Sequence, residues 1–149
     1  MSSVTLNTQG LQSLKRKLKT AEKARAEVGL FTSHDARDDG ESNIAIGRQH
    51  EFGQGVPRRS FLEIPMLTEF PKIVEGESES LAETFANDGA AATLERLGFM
   101  GEVAIQEAFD TGGFGQWPAN SPHTLLFKKG DKPLIDTSQL RGAISSRVK

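Results

Sequence analysis

The stretch from Arg48 to Pro65, RQHEFGQGVPRRSFLEIP, restricts the backbone more than any other part of the sequence. The apolar spacing before it predicts a short, partly buried helix that runs from about Asn43. Gly53 and Gly55 should end that helix, because glycine adopts left-handed backbone angles without steric cost. A Val-Pro step follows, and proline makes the residue before it extended. Residues 53–65 are therefore predicted to form a rigid arm with glycine hinges.

This arm carries most of a candidate interface, in which two arginines stand beside two large apolar side chains: Arg58, Arg59, Phe61 and Leu62. Burial of each apolar side chain is worth about 1.5–3 kcal/mol, so we expect a pocket for them in the same domain or in a neighbouring subunit. We favour the neighbour, because the flanking glycines and proline let the segment project. The arginines would then fix its orientation through charge-assisted hydrogen bonds.

The composition is that of an ordinary single domain spanning residues 1–149, with 36% hydrophobic and 26% charged residues. The chain has no cysteine, which excludes disulfides and thiolate metal sites. No apolar run reaches the ~20 residues that a membrane span needs, and the N-terminus lacks the apolar core of a signal peptide. We therefore expect no membrane partner.

The net charge of −2 conceals a basic N-terminal segment. Leu11, Leu14 and Leu18 recur at helical spacing and predict an amphipathic helix over residues 11–25. A positive face of this kind can meet nucleic acid, an acidic partner or only water, and the sequence leaves the three open. The residues of this candidate basic face are Lys15, Arg16, Lys19 and Lys23.

The middle of the chain is predicted to alternate between regular elements and loops. Glu27–Thr32 suits a strand, and Ser33–Ser42 should be a loop without fixed structure in the free subunit, because it has no apolar anchor. Residues 66–86 favour helix. Ala90–Phe109 is the main helix.

The main helix contains Gly98 and Gly101, each of which costs about 1 kcal/mol relative to alanine. These glycines let another backbone come close, and we therefore expect either close packing or a bend there. Residues 110–122 form a long loop rich in glycine and proline. Its tryptophan, Trp117, either anchors the loop on the core or serves as an interface anchor.

The C-terminal part should contain short elements only. Residues 124–128 could form a short strand, and residues 136–138 are typical of a helix N-cap. A short helix with Leu140 should follow, and Ser145–Lys149 suits a final strand.

No pattern in the sequence supports catalysis or metal binding. His50-Glu51 begins like the zinc motif H-E-x-x-H, but Gln54 stands at its last position. A calcium-loop pattern fails at Arg37 and Ile46. No G-x-S-x-G elbow is present. We expect no catalytic residue, cofactor or metal, and no chemistry at the three histidines, His34, His50 and His123.

Three groups of residues occur in a fixed order: HEFG with PRRSFL, then LERLG leading through a helix into GGFGQWP, and then KPLIDTSQLRGAI. This order resembles the tail-completion and virion-morphogenesis (head–tail neck) proteins of tailed bacteriophages. In that family we expect E-F-G, P-x-R-x-F-L, a long helix, W-x-x-L-x-x-x-T and P-L-x-D-T-G-x-L. Ser138 stands where the family pattern has glycine. The matching positions, within roughly residues 44–144, are Glu51, Phe52, Gly53, Pro57, Arg59, Phe61, Leu62, Trp117, Thr124, 133–137 and Leu140.

The resemblance implies an α+β fold with a small, mostly antiparallel sheet flanked by helices. It implies a structural, non-enzymatic role at the head–tail junction or tail terminus, where six subunits form a ring that completes the tail or joins it to the connector. The implied partners are further copies of the chain, the tail tube or tail terminator, and the head connector, with DNA nearby in the channel. The protein would reside in the neck or upper tail of the virion, and in the host cytoplasm during assembly.

Two other functions stay open on the sequence. The basic helix could make the chain a DNA-binding module, whose affinity would fall steeply with salt. A hydrolase using one of the three histidines would lose activity when they are replaced.

Overall fold

The computed structural model describes residues 8–128, 130–134 and 138–149, and their architecture is α+β, as the resemblance implied. Within these ranges, none of the helices combines the length and the hydropathy needed to cross a membrane. In chain order the elements are α1 (Thr8–Ala21), β1 (Ala26–Leu30), a 3-10 turn (Thr32–His34), α2 (Asn43–Phe52), α3 (Glu63–Thr68), α4 (Phe70–Gly76), α5 (Ser78–Asp88), α6 (Ala90–Thr111), α7 (Pro122–Phe127), α8 (Gln139–Gly142) and β2 (Ile144–Val148).

The sheet joins the two ends of the described chain. β1 and β2 pair antiparallel, with a register that runs from Ala26 opposite Val148 to Leu30 opposite Ile144. Both strands lie where the sequence predicted them, within one or two residues. The predicted sheet is therefore confirmed.

The outer face of the sheet is held by an ionic cluster around Glu27. Its carboxylate lies 2.8 Å from a guanidinium nitrogen of Arg147, 3.1 Å from Lys149 Nζ and 3.0 Å from Arg25 Nε. Hydrogen bonds from Arg147 and Lys149 lower the pKa of Glu27 to about 2. The Arg147 guanidinium also lies 3.9 Å above the Phe31 ring. The cluster fixes the C-terminal strand to the first strand.

The long helix α6 covers the inner face of the sheet, and its two internal glycines lie at the crossing. A Cβ added at Gly98 would stand 2.8 Å from the Ser146 side chain, and one at Gly101 would stand 3.0 Å from Val28 Cγ1. The close packing expected at these glycines is confirmed, although the atoms that meet them belong to side chains and not to another backbone. The bounds of α6 also agree with the predicted main helix.

Helical structure from residue 63 to residue 88 is divided into α3, α4 and α5, where the sequence favoured helix over 66–86 and allowed Pro71 only in a first turn or at a kink. Pro71 lies in the first turn of α4 and has no N–H to donate to the preceding turn, which accounts for the break after α3. The main chain stays near helical angles at Glu69, so the break is a bend and not a turn.

Residues 124–128, predicted as a possible strand, belong instead to α7. Ser121 is the N-cap, its side chain accepts a hydrogen bond from the Thr124 N–H at 3.2 Å, and Pro122 occupies the first turn. A capped start followed by proline specifies a helix, and it outweighs the β-compatible Leu-Leu-Phe run.

The loop over residues 33–42, expected to lack fixed structure, is held by polar contacts instead of apolar ones. Asp35 accepts hydrogen bonds from Ser42 Oγ at 2.8 Å and from the Ile44 N–H at 2.7 Å. Arg37 donates to Asn43 Oδ1 at 3.0 Å. The composition of the loop did not predict these contacts, because they join Asp35 to residues at the start of α2.

Two further differences concern the ends of helices. The N-terminal helix lies at residues 8–21, earlier than the predicted 11–25. Ser138 has a left-handed φ of 61°, the conformation that the family pattern assigns to glycine, and its side chain makes no cap hydrogen bond. The other residues of the predicted cap, 136 and 137, lie outside the described residues.

Candidate interaction surfaces

The predicted arm folds back onto its own domain, and Glu51 near the end of α2 holds it there. Glu51 is 4% exposed. Its carboxylate accepts hydrogen bonds from Ser60 Oγ at 2.6 Å and from the N–H groups of Phe61, Leu62 and Glu63 at 2.9, 2.9 and 3.0 Å. These N–H groups precede and open α3, where no backbone carbonyl can reach them. A buried carboxylate therefore caps the arm and the helix that follows it.

Phe61 fills the centre of the core. It has no exposed surface, and its ring centroid lies 5.3 Å from that of Phe109. The expectation that Phe61 inserts into a neighbouring subunit is therefore wrong. The Gly-Pro segment bends the chain inward, and Leu62 packs half-buried against the same cluster. The buried members of that cluster are Phe61, Ile105, Phe109, Leu140 and Ile144.

The two arginines of the arm have different environments. Arg59 is 5% exposed and donates to the carbonyl oxygens of Pro118 and Ala119, each at 2.9 Å. Burial lowers the pKa of Arg59. Arg58 is exposed, donates from Nε to the Glu51 carbonyl at 3.0 Å and pairs with Glu63 at 2.6 Å. Arg59 thus joins the arm to the long loop inside the domain, and only Arg58 faces solvent.

Trp117 anchors the long loop on the core, one of the two roles weighed from the sequence. Its ring meets Phe109 edge-on at 5.7 Å, and its Nε1–H donates to the Ser60 carbonyl at 3.3 Å. A Cβ at Gly113 would overlap the indole at 2.1 Å, so the ring lies directly on the loop backbone, where Gly113 has a φ of 67°. Arm, loop and core therefore form one packed unit.

The N-terminal helix α1 leaves its leucines in solvent. Leu11, Leu14 and Leu18 are 65%, 45% and 50% exposed. The half-buried positions are Ser13, Lys17 and Ala21, on a neighbouring stripe of the helix, and Lys17 Nζ donates to the Ala86 carbonyl oxygen. The apolar stripe of this helix therefore has no partner within the described part of the chain.

The basic face of α1 is also open to solvent. Within the described residues, none of the four predicted members forms an ion pair, and all are exposed: Lys15, Arg16 and Lys19 on α1, and Lys23 just after its end. Lys15 and Lys19 follow Leu11 at intervals of four, so they lie on the row next to the leucines.

A second exposed apolar surface is a groove between α4, α5 and α6. We call it the acidic groove, because carboxylates border its apolar residues. Phe99 and Val103, one turn apart on α6, are 63% and 41% exposed within it. Arg96 in the groove is already engaged by Glu77, Ser80 and Thr84. The residues that line the acidic groove are Ile73, Glu77, Thr84, Asp88, Ala92, Glu95, Arg96, Phe99, Met100 and Val103.

A third apolar surface is the tip of α7. Leu126 and Phe127 are each 78% exposed, and Leu125 is 43% exposed. The His123 ring is tilted by 53° against that of Phe127, with ring centroids 5.2 Å apart. The tip therefore projects side chains of the type that a packed core normally contains.

A cavity of about 360 Å³ lies between α2, the arm, α7 and α8, and it contains His50. The Nδ1 atom of His50 is buried and has no hydrogen-bond partner among the described residues. Burial, with nearby Arg59 and Lys128, lowers the pKa of His50 to about 4. The imidazole is therefore neutral at physiological pH.

The histidines and acids do not converge in the described residues. There, no group of three or more His, Cys, Asp or Glu side chains is arranged to hold a metal ion. Comparisons with protein-family models, with curated proteins and with solved structures find no match for this chain.

Proposed function

We propose that this chain is a non-enzymatic structural protein of a tailed-phage particle that acts at the head–tail junction or the tail terminus. In this role it assembles into a ring of six copies that completes the tail or joins it to the connector. Its partners are further copies of itself, the tail tube or tail terminator, and the head connector. It would reside in the neck or upper tail, after assembly in the host cytoplasm.

The observation that carries this proposal is the presence of three exposed apolar surfaces around a core that is already complete. The leucine stripe of α1, the acidic groove and the tip of α7 lie on separate elements. Exposed apolar patches on soluble proteins are typical of interaction sites. The order of the EFG, PRRSFL, GGFGQWP and PLIDT motifs supports the choice of a phage neck protein.

Association with tail tubes tests the proposal. Purified chain is mixed with tail tubes from the virus that encodes it, and the mixture is sedimented and imaged by negative-stain electron microscopy. We expect the chain to sediment with the tubes and to add density at one end, while an unrelated protein of similar size stays in the supernatant. A chain that neither sediments with the tubes nor self-associates contradicts the proposal.

The exposed basic face of α1 favours a second candidate function, a DNA-binding module. Binding through Lys15, Arg16, Lys19 and Lys23 would release counterions, so affinity for duplex DNA would fall steeply as salt rises. A titration of labelled DNA at several salt concentrations measures this slope. Replacement of the four cations by glutamine should abolish binding under this alternative.

A further inference from the structure

We propose that α1 of one copy docks, through its leucine stripe, into the acidic groove of a second copy. The inference rests on the proposed ring and identifies the contact that would build it. Both surfaces are open in the free chain, since Leu11, Leu14, Leu18 and Phe99 are all 45–65% exposed. Each is an apolar strip with a charged border.

The charges of the two surfaces are opposite. Residues 8–25 carry six Lys or Arg and one Glu, whereas the lining of the groove carries three carboxylates, Glu77, Asp88 and Glu95, and one cation. That cation, Arg96, already pairs with Glu77. The groove therefore presents negative charge to an approaching cation, and complementary potentials favour the pairing over contact between like surfaces.

The lengths of the two surfaces also fit. At 1.5 Å per residue, Leu11 to Leu18 spans roughly 10 Å, and the α6 side of the groove from Ala92 to Val103 spans roughly 16 Å. An amphipathic helix that lays its i, i+3 and i+7 residues into an apolar groove is a common mode of recognition. With the leucines against Phe99 and Val103, the neighbouring row of α1 would face the carboxylates of the groove.

The two surfaces belong to different parts of one chain, and the proposed ring uses them head-to-tail. A head-to-tail contact repeats from copy to copy and closes into a ring when the rotation between copies allows it. Within one copy, α1 is already fixed by the stripe that contains Lys17, whose ammonium group bonds the Ala86 carbonyl oxygen. The leucines remain exposed in that position, which leaves them available to the next copy.

Two charge-introducing variants separate the halves of the contact. Leu14→Glu places a charge in the leucine stripe of α1 and leaves the groove intact. Phe99→Glu places a charge in the groove and leaves the stripe intact. We expect each to weaken self-association by about tenfold or more, measured by sedimentation equilibrium at low salt. Gln54→Glu places the same charge on an exposed position outside both surfaces and should leave assembly unchanged. Circular dichroism melting confirms that each variant is folded.

Mixing the two variants provides the decisive result. Leu14→Glu retains a groove and Phe99→Glu retains a helix, so an equimolar mixture should form dimers that cannot extend further. A chain with both substitutions should stay monomeric alone and in any mixture. If the single variants are monomeric and their mixture forms no dimer, the contact is not head-to-tail and the inference is overturned.

Other outcomes separate this inference from the proposed function. If either variant forms the same oligomers as the wild type, the helix–groove contact is overturned and the ring is not. Variants that keep their oligomeric state but lose affinity for DNA show that DNA, and not a second copy, covers α1. A wild-type chain that stays monomeric at every concentration, with and without tail tubes, overturns both.

Discussion

At the scale of single residues, Phe61 is the side chain on which the core depends most, because it is fully buried between α6 and α8. We expect Phe61→Ala to lower the free energy of unfolding by about 3–5 kcal/mol, from lost burial and the cavity left behind. Urea unfolding followed by circular dichroism measures the loss. Phe52→Ala, at a position 62% exposed, should change it by less than about 0.5 kcal/mol. If the two variants are equally stable, Phe61 does not stabilise the core, and the expectation that it is an interface residue is restored.

His50 makes the stability of the fold depend on pH. Its pKa is lowered from 6.5 to about 4 in the folded chain, so the unfolded chain binds more protons between these values. Stability is therefore lost as pH falls from 6.5 towards 4, by about 1–2 kcal/mol once solvent screening of the partly buried ring is allowed for. His50→Gln should remove this part of the acid destabilisation, measured by urea unfolding at pH 7 and pH 4.5.

The matched control for this prediction is His123→Gln, because His123 is exposed. It should retain the full difference in stability between the two pH values. If His50→Gln and the wild type lose the same stability on acidification, the carboxylates alone cause the loss and burial of the imidazole does not contribute.

At the scale of elements, the contact between α6 and the sheet depends on the absence of side chains at two positions. A Cβ at Gly98 would stand 2.8 Å from the Ser146 side chain, closer than real Cβ contacts allow, so Gly98→Ala must shift the helix, the strand or that side chain. We expect it to destabilise the fold by about 1–3 kcal/mol, although alanine favours helix. Thermal unfolding checks this against Gly76→Ala, where the added methyl meets nothing within 4 Å. A stabilised Gly98→Ala would show that the strand is not fixed at this distance.

The helices and strands also show which parts of the fold can be predicted from local sequence patterns. α6 and both strands follow from apolar spacing and β-compatible residues within each segment, and the sequence predicted them closely. α7 was mistaken for a strand because Leu-Leu-Phe fits either element, and the decision lies with Ser121 and Pro122 before it. Residues 66–86 were predicted to favour helix, and the two breaks within them lie at the positions that the sequence marked as weak, Pro71 and the stretch from Gly76.

The candidate site was less predictable, because its decisive contacts join residues distant in sequence. Glu51 was quoted only as part of a motif, yet its carboxylate organises residues 60–63 nine to twelve positions later. Arg59 reaches carbonyl groups 59 and 60 residues away. The local spacing of residues does not encode these long-range hydrogen bonds. A Gly-Pro segment that folds onto its own domain therefore has the same sequence pattern as one that projects into solvent.

At the scale of the whole molecule, the core is closed while α1, the acidic groove and the tip of α7 remain open. The apolar spacing of Leu11, Leu14 and Leu18 correctly predicted an amphipathic helix, but it could not show that the stripe would stay in solvent. That depends on which stripe of α1 the body of the protein contacts. A monomer that leaves complementary surfaces uncovered is suited to assembly with its own copies.

The central claim, that this chain assembles with itself, is tested most directly by the mass of the wild-type protein in solution. Sedimentation equilibrium over a range of protein and salt concentrations measures it against the 16.2 kDa of one chain. We expect a closed species of six chains at low salt, which dissociates as salt rises because the attraction between charged borders is screened. A mass of one chain at every concentration and every salt would contradict the account.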